Sequence, residues 1–359
     1  MSIVYAILVF GLIVFVHELG HFTVAKLTGV TVYQFSIGFG PALWKKQVGE
    51  TVYAIRCIPL GGYVAMKGED STVIETPAGH EPADAEEDTE GSFLHAALWK
   101  RVCISAAGAV MNLVSALLIL LIVMLPTSQM IVPRLTGFME GFPLEGENGL
   151  KEGDEIVRIN GFHIFIYSDV INALELGQGE PYDIVVRRDG EKITLEDLPL
   201  EKAVYPEEES DQPKFGLLFA VEKATLPQRL GSAWNSCLSF VQTAYKSIGM
   251  LIGGEVSADN MMGTVGITSE LSERVQSSWE DFWYFVAFLS ANLAVVNLLP
   301  IPGLDGGKLL FLLIELIRGK PIKPEHEGAV QLVGMLFILG LFIFVTYNDI
   351  VNLITGART

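Results

Sequence analysis

Four apolar stretches long enough to cross a membrane constrain this chain more than any other feature. A hydrocarbon core of about 30 Å takes roughly 20 apolar residues of helix. Such runs extend from about Ile3 to Ala25, Val102 to Leu125, Phe282 to Leu299 and Ala329 to Val345. In lipid every backbone N–H and C=O must be satisfied within the segment, so these runs are expected to be helices. Half of the 359 residues are hydrophobic and only 18% are charged, which is too apolar for an ordinary soluble protein of this length. The expected fold class is a polytopic α-helical membrane protein with about four transmembrane helices.

Charge placement sets the expected topology. The formal net charge of −18 argues against a nucleic-acid partner, but the location of the basic residues says more. Lys26, Lys45, Lys46, Arg56, Lys67, Lys100 and Arg101 lie between the first two spans, and Arg318, Lys320 and Lys323 between the last two. By the positive-inside rule both loops are cytoplasmic, and the termini and the long middle segment are outside. No basic residue precedes the first span and no small-residue cleavage site follows it, so that span is expected to stay in the mature protein rather than leave as a signal peptide. The three cysteines, Cys57, Cys103 and Cys237, fall in different predicted compartments and imply no disulfide framework.

Between the spans the character changes several times. Residues 31–66 mix β-branched and aromatic residues with Gly, Pro and a Val48-Gly49-Glu50 turn, which predicts short hairpins packed on the membrane face. From Glu69 to Glu90 the chain is acidic and rich in Pro, Ala and Thr, as in a disordered insert that stays solvated. The segment from Thr127 to Val221 reads as a small soluble domain. Within it Asp154–Ile159 alternates like a strand, Ser168 is placed to cap a short helix through Leu176, and Ile184–Arg188 with Lys192–Leu195 flank an Asp189-Gly190 hairpin turn. Leu226–Ile252 carries Trp234, Leu238, Val241, Tyr245 and Ile248 at helical spacing. That pattern suits a helix on the membrane surface, or one that merely joins two domains.

The chemistry is concentrated in His17-Glu18-Leu19-Gly20-His21. Histidines four apart share one helix face and can ligate one metal, while the adjacent Glu18 can reach a metal-activated water as general base. Charged side chains inside a membrane helix cost about 2.5–3.5 kcal/mol each on insertion scales, so they usually mark function. The alternative is that these groups are simply solvated at the cytoplasmic interface, but a second polar cluster stands at an equivalent depth. Asn292, Asn297 and Asp305 occur in ANLAVVNLLPIPGLDGGK, where Pro300-Ile301-Pro302-Gly303 must break the third span. Broken backbone in a membrane is tolerated where it lines a cavity. Asp305 can complete a His-His-carboxylate zinc site with an open fourth position. Asn292 or Asn297 suits an oxyanion or a substrate backbone, the alternative being hydrogen bonds between helices. Gly108 and Asn112 in AAGAVMNLV read as a close-packing face of the second span.

Taken in order, HELGH, FSIGFGP, IPLGGYVAMKGED, AAGAVMN, GLKEGDEIVRING and NLLPIPGLDGG resemble the bacterial site-2 proteases of the regulator-of-sigma-E protease type. The resemblance implies an intramembrane zinc metalloprotease acting in regulated intramembrane proteolysis. Its substrates would be single-span membrane proteins such as anti-sigma factors or signal-peptide remnants, held in the lipid of a bacterial inner membrane. It implies His17, His21 and Asp305 as zinc ligands, Glu18 as catalytic base and Asn292 and Asn297 as substrate-binding residues. It also implies cytoplasmic membrane-associated β-hairpins and one extracytoplasmic PDZ-like α+β domain. The domain division is then 1–126 (first half of the protease core), 127–222 (PDZ-like domain), 223–278 (amphipathic linker region) and 279–359 (second half of the core). Ala109 departs from the proline that the family often places in the second span, and the single PDZ-like segment departs from members with two. Two other classes remain to be weighed. A membrane-anchored PDZ binding module with an inactive metal site is disfavoured by the intact HELGH and LDG. A proton-relay transporter is disfavoured by the soluble domain and by the lack of an inverted repeat.

Overall fold

The computed structural model describes residues 2–69, 90–177, 181–205, 212–254 and 263–355, so the expected disordered insert falls outside the described residues except for its two ends. The chain runs through helix α1 (Ser2–Thr28), strands β1 (Val32–Val48) and β2 (Thr51–Met66), and helix α2 (Leu98–Met124). Strands β3 (Gln129–Phe138), β4 (Glu155–Ile159) and β5 (Phe162–His163), helix α3 (Tyr167–Leu176), and strands β6 (Tyr182–Arg188), β7 (Glu191–Leu198) and β8 (Leu217–Lys223) follow. Five helices close the chain: α4 (Leu226–Gly253), α5 (Thr264–Ser277), α6 (Trp279–Asn297), α7 (Asp305–Arg318) and α8 (Pro324–Thr355). They form two compact units, residues 1–119 with 243–359, and residues 120–242.

Among the described residues three helical segments are long and apolar enough to cross a membrane: Ile3–Thr28, Leu98–Met124 and Glu325–Val351. They coincide with three of the four expected spans. The fourth, Phe282–Leu299, coincides with α6, a 19-residue helix with Glu280 and Asp281 in its first turn. That acidic start shortens its apolar stretch, so α6 does not join the other three on length and hydropathy.

In the first unit, Ala6, Val9 and Ile13 of α1 pack against Leu271 of α5 and Phe285 and Val286 of α6. A second cluster, Ala25, Val30, Val32, Met66, Phe93 and Ile104, roots the β1–β2 hairpin where α1 ends and α2 begins. The hairpin turns at Gly49-Glu50, where Val48 stands opposite Thr51, as the sequence predicts. Its register is doubled. Gln34, Phe35, Ser36 and Ile37 stand opposite Ala65, Val64, Tyr63 and Gly62 on one side and Val52, Tyr53, Ala54 and Ile55 on the other. Phe39, Leu43, Trp44 and Ile58 of the hairpin are exposed, an arrangement suited to contact with lipid. The predicted break after α6 is present, because Pro300 and Pro302 cannot donate the bonds that would continue the helix. Gly303 adopts φ +94° there, a region other residues avoid, and α7 then starts at Asp305.

The second unit is a sheet of order β7-β6-β4-β3-β8, with β5 paired to β4, and α3 beside it. Strand β6 alternates as a half-buried strand should, with Tyr182, Ile184 and Val186 buried and Asp183 and Arg187 exposed. Its hairpin with β7 closes on Arg188 opposite Glu191, around the Asp189-Gly190 turn read from sequence. Beneath it Arg188 makes a bidentate pair with Asp154, Nε to Oδ1 at 2.7 Å and Nη2 to Oδ2 at 2.8 Å. Asp154 is fully buried, and the pairing holds the Arg188 guanidinium above its ordinary pKa.

One local expectation is corrected by the structure. The N-cap of α3 is Ile166 rather than Ser168. The capping acceptor is the Asp169 carboxylate, which takes the backbone N–H groups of Phe165 and Ile166 at 2.9 and 3.1 Å. Burial pushes the Asp169 carboxyl above its usual range, against these two donors and the hydroxyl of Ser239. Helix α4 forms as expected, with Ala233, Cys237 and Phe240 buried and Trp234 and Tyr245 exposed, while Leu238, Val241 and Ile248 of the apolar stripe are half-buried.

Candidate metal centre

His17 and His21 lie one helical turn apart on α1, and the chain break before α7 brings Asp305 to the same point. The two Nε2 atoms are 3.2 Å apart, and Asp305 Oδ2 is 3.2 Å from His17 Nε2 and 3.3 Å from His21 Nε2. Among the described residues this is the one group of three ligand-type side chains gathered closely enough to hold a metal ion. Tetrahedral zinc with bonds of about 2.0–2.1 Å separates its ligand atoms by roughly 3.3–3.4 Å. The observed triangle has that size. Asp305 Oδ2 is also buried with no hydrogen-bond partner among the described residues, an expensive state for a carboxylate oxygen unless a cation shares it. Two imidazole nitrogens and one carboxylate oxygen form a donor set that zinc accepts.

Helix α2 makes this approach sterically possible. A Cβ at Gly108 would lie 2.6 Å from His17 Cε1 and 2.7 Å from His17 Nε2, and one at Gly20 would lie 2.9 Å from Met111 Cβ. The close-packing face expected around Gly108 is therefore present, and it packs on the side chains of His17 and His21 themselves. His21 Nδ1 is 2.7 Å from the carbonyl oxygen of Ile104. The Asn112 amide is 3.3 Å from His17 Nδ1, so Asn112, which the sequence suggested as a packing residue, touches a candidate ligand. Asn297 at the end of α6 also reaches that atom, at 3.5 Å. Asn292 does not join the group, because its amide donates to Phe288 of its own helix at 2.8 Å.

A cavity of about 330 Å³ opens on the triad. Glu18 faces it, with Gly62 of β2 so close that a Cβ there would lie 2.9 Å from Glu18 Cγ. Tyr63, Val64 and Met66 extend this wall along β2, and Ser105 of α2 closes another side. Two lining residues, Lys308 and Gln331, were not singled out from the sequence. Lys308, one turn after Asp305, pairs with Glu69. Gln331 of α8 accepts from the backbone N–H of Gly303, steadying the irregular segment that delivers Asp305. A polar residue inside an apolar run was the available clue for Gln331, and helical spacing from Asp305 the clue for Lys308.

Comparison with known proteins agrees with this geometry. The family model described as Peptidase family M50 matches residues 5–341. The Regulator of sigma-W protease RasP of Bacillus subtilis is 32% identical, over 98% of this chain and 99% of that protein. The Zinc metalloprotease RasP of Bacillus licheniformis is also 32% identical, over 98% and 99%, and that of Geobacillus kaustophilus is 31% identical over 97% of each chain. With two histidines, a carboxylate and an adjacent glutamate at one cavity, and relatives of zinc metalloprotease type along nearly the full length, the chain belongs to peptidase family M50.

Proposed function

We propose that His17, His21 and Asp305 hold the zinc, that Glu18 is the general base, and that the substrates are single-span membrane proteins cut within or near the bilayer. The observation that carries this reading is the convergence of three ligand atoms at 3.2–3.3 Å beside Glu18. Zinc supplies a Lewis acid that polarises a carbonyl and brings the pKa of water to about 7. Glu18 accepts the proton of the attacking water and returns it to the leaving amide nitrogen. The Asn297 amide, beside the triad, is placed to donate to the substrate backbone or its developing oxyanion. The part given to Asn292 rests on the family resemblance alone. Gly62–Met66, at the cavity wall, offers a strand edge on which an unwound substrate segment can pair.

Because a relative is named a regulator of sigma-W protease, anti-sigma factors are the first substrate class to test, with signal-peptide remnants the second. In this reading α6 completes a four-helix core in a bacterial inner membrane. The active site lies near the cytoplasmic face, and the termini and residues 127–222, read as a PDZ-like domain, lie outside. Residues 223–278 act as the membrane-surface linker, and the exposed Trp234 and Tyr245 of α4 suit an interface. The test is cleavage of a single-span model substrate by the purified protein in liposomes. Glu18→Gln, which keeps size and removes the base, should lower cleavage by at least about 100-fold while zinc content stays unchanged. Equal cleavage by Glu18→Gln and wild type would overturn the assignment.

A further inference from the structure

We infer that Asn112 is a positioning residue for the metal centre: its side-chain oxygen accepts the Nδ1 proton of His17 and thereby fixes the tautomer and plane of that ligand. This rests on the zinc-site reading above. A neutral imidazole has one N–H, so a ring that offers the Nε2 lone pair to a metal carries its proton on Nδ1, and that proton needs an acceptor. For His21 the acceptor is present, the Ile104 carbonyl at 2.7 Å. For His17, the Nε2 atom faces His21 and Asp305, and Nδ1 meets the amides of Asn112 at 3.3 Å and Asn297 at 3.5 Å.

Asn112 is fully buried, and its Oδ1 is a buried acceptor with no partner among the described residues. The oxygen and nitrogen of a side-chain amide are told apart by their hydrogen bonds. With the proton of His17 on Nδ1, the amide stands with Oδ1 toward His17, which gives the orphaned acceptor its donor. Both ligand histidines are then oriented from α2, one by a backbone carbonyl and one by a side chain two turns further on. The amide of Asn297, more distant and only part-buried, stays available to substrate.

The experiment titrates zinc back into chelator-stripped full-length protein in detergent and records the visible bands of the cobalt-substituted form. Asn112→Leu, which keeps bulk and removes the acceptor, should weaken zinc binding by about 10–100-fold and shift the cobalt bands. Asn112→Asp keeps an acceptor oxygen and should hold zinc within about threefold of wild type. Wild-type zinc affinity with unshifted cobalt bands in Asn112→Leu would overturn the inference. If the leucine variant fails to fold, Asn112→Asp still decides: loss of zinc as complete as in His17→Ala overturns the inference, and retention supports it. A wild-type protein that takes up no more zinc than His17→Ala refutes the zinc site itself, and this inference with it.

Discussion

At the residue scale, the proposed metal centre depends on contacts of two kinds. The i, i+4 spacing of His17 and His21 is local and was legible in the sequence, as was Asp305, because two prolines must end the helix before it. Contacts across helices were legible only as a close-packing face around Gly108, not as pairs of residues. Ile104, Asn112 and Gly108 are brought to the histidines by the crossing of α1 and α2, and no local pattern encodes which residue of α2 lands where. Gly108 provides a direct check. Gly108→Ala places a methyl group against the His17 ring, and overpacking of that kind costs about 1–3 kcal/mol. Zinc affinity should therefore fall by about 10–100-fold, measured by competition with a chromophoric chelator. Unchanged affinity would mean the two helices are not in contact at this point.

At the scale of elements, the spans, the β1–β2 hairpin and the β6–β7 hairpin followed from periodicity and turn residues. Helices α5 and α7 were not read from the sequence, although Asp305 in the first turn of α7 and Gly319 at its C-cap mark its bounds. The N-cap of α5 makes no side-chain hydrogen bond, and α5 is instead held by Asp349 of α8, whose carboxylate accepts the N–H groups of Gly263, Val265 and Gly266 at 3.0–3.2 Å. Helix α7 is tied to α2 by a bidentate pair, Arg101 Nη1 and Nη2 to the two oxygens of Glu315 at 2.8 and 2.9 Å. Arg101 is 6% exposed, and removing one partner of a buried pair costs about 3–5 kcal/mol because the other charge is stranded. Glu315→Leu should lower the thermal midpoint of the detergent-solubilised protein. Adding Arg101→Met should recover most of the loss. A single variant as stable as wild type would show the pair to be dispensable.

At the scale of the whole molecule, composition sufficed for a membrane protein, and charge placement led to the expectation of basic loops on one side. Three of the four expected spans meet length and hydropathy among the described residues, and α6, which opens with an acidic turn, is the shorter and less apolar fourth. The expected topology is checked with single cysteines introduced as Lys45→Cys, Lys320→Cys and Glu191→Cys in a background without Cys57, Cys103 and Cys237. A membrane-impermeant thiol reagent applied to intact cells should label position 191 and spare positions 45 and 320. Labelling of all three to the same extent would contradict the topology.

The central claim is that one zinc ion joins α1 to the start of α7. Zinc K-edge absorption of the purified protein, read with metal analysis, tests it most directly. The account predicts one zinc per chain, with a first shell of nitrogen and oxygen at about 2.0–2.2 Å that includes two imidazoles, and loss of that zinc in Asp305→Ala. A sulfur shell near 2.3 Å, or an Asp305→Ala protein that keeps its zinc with an unchanged spectrum, would contradict it.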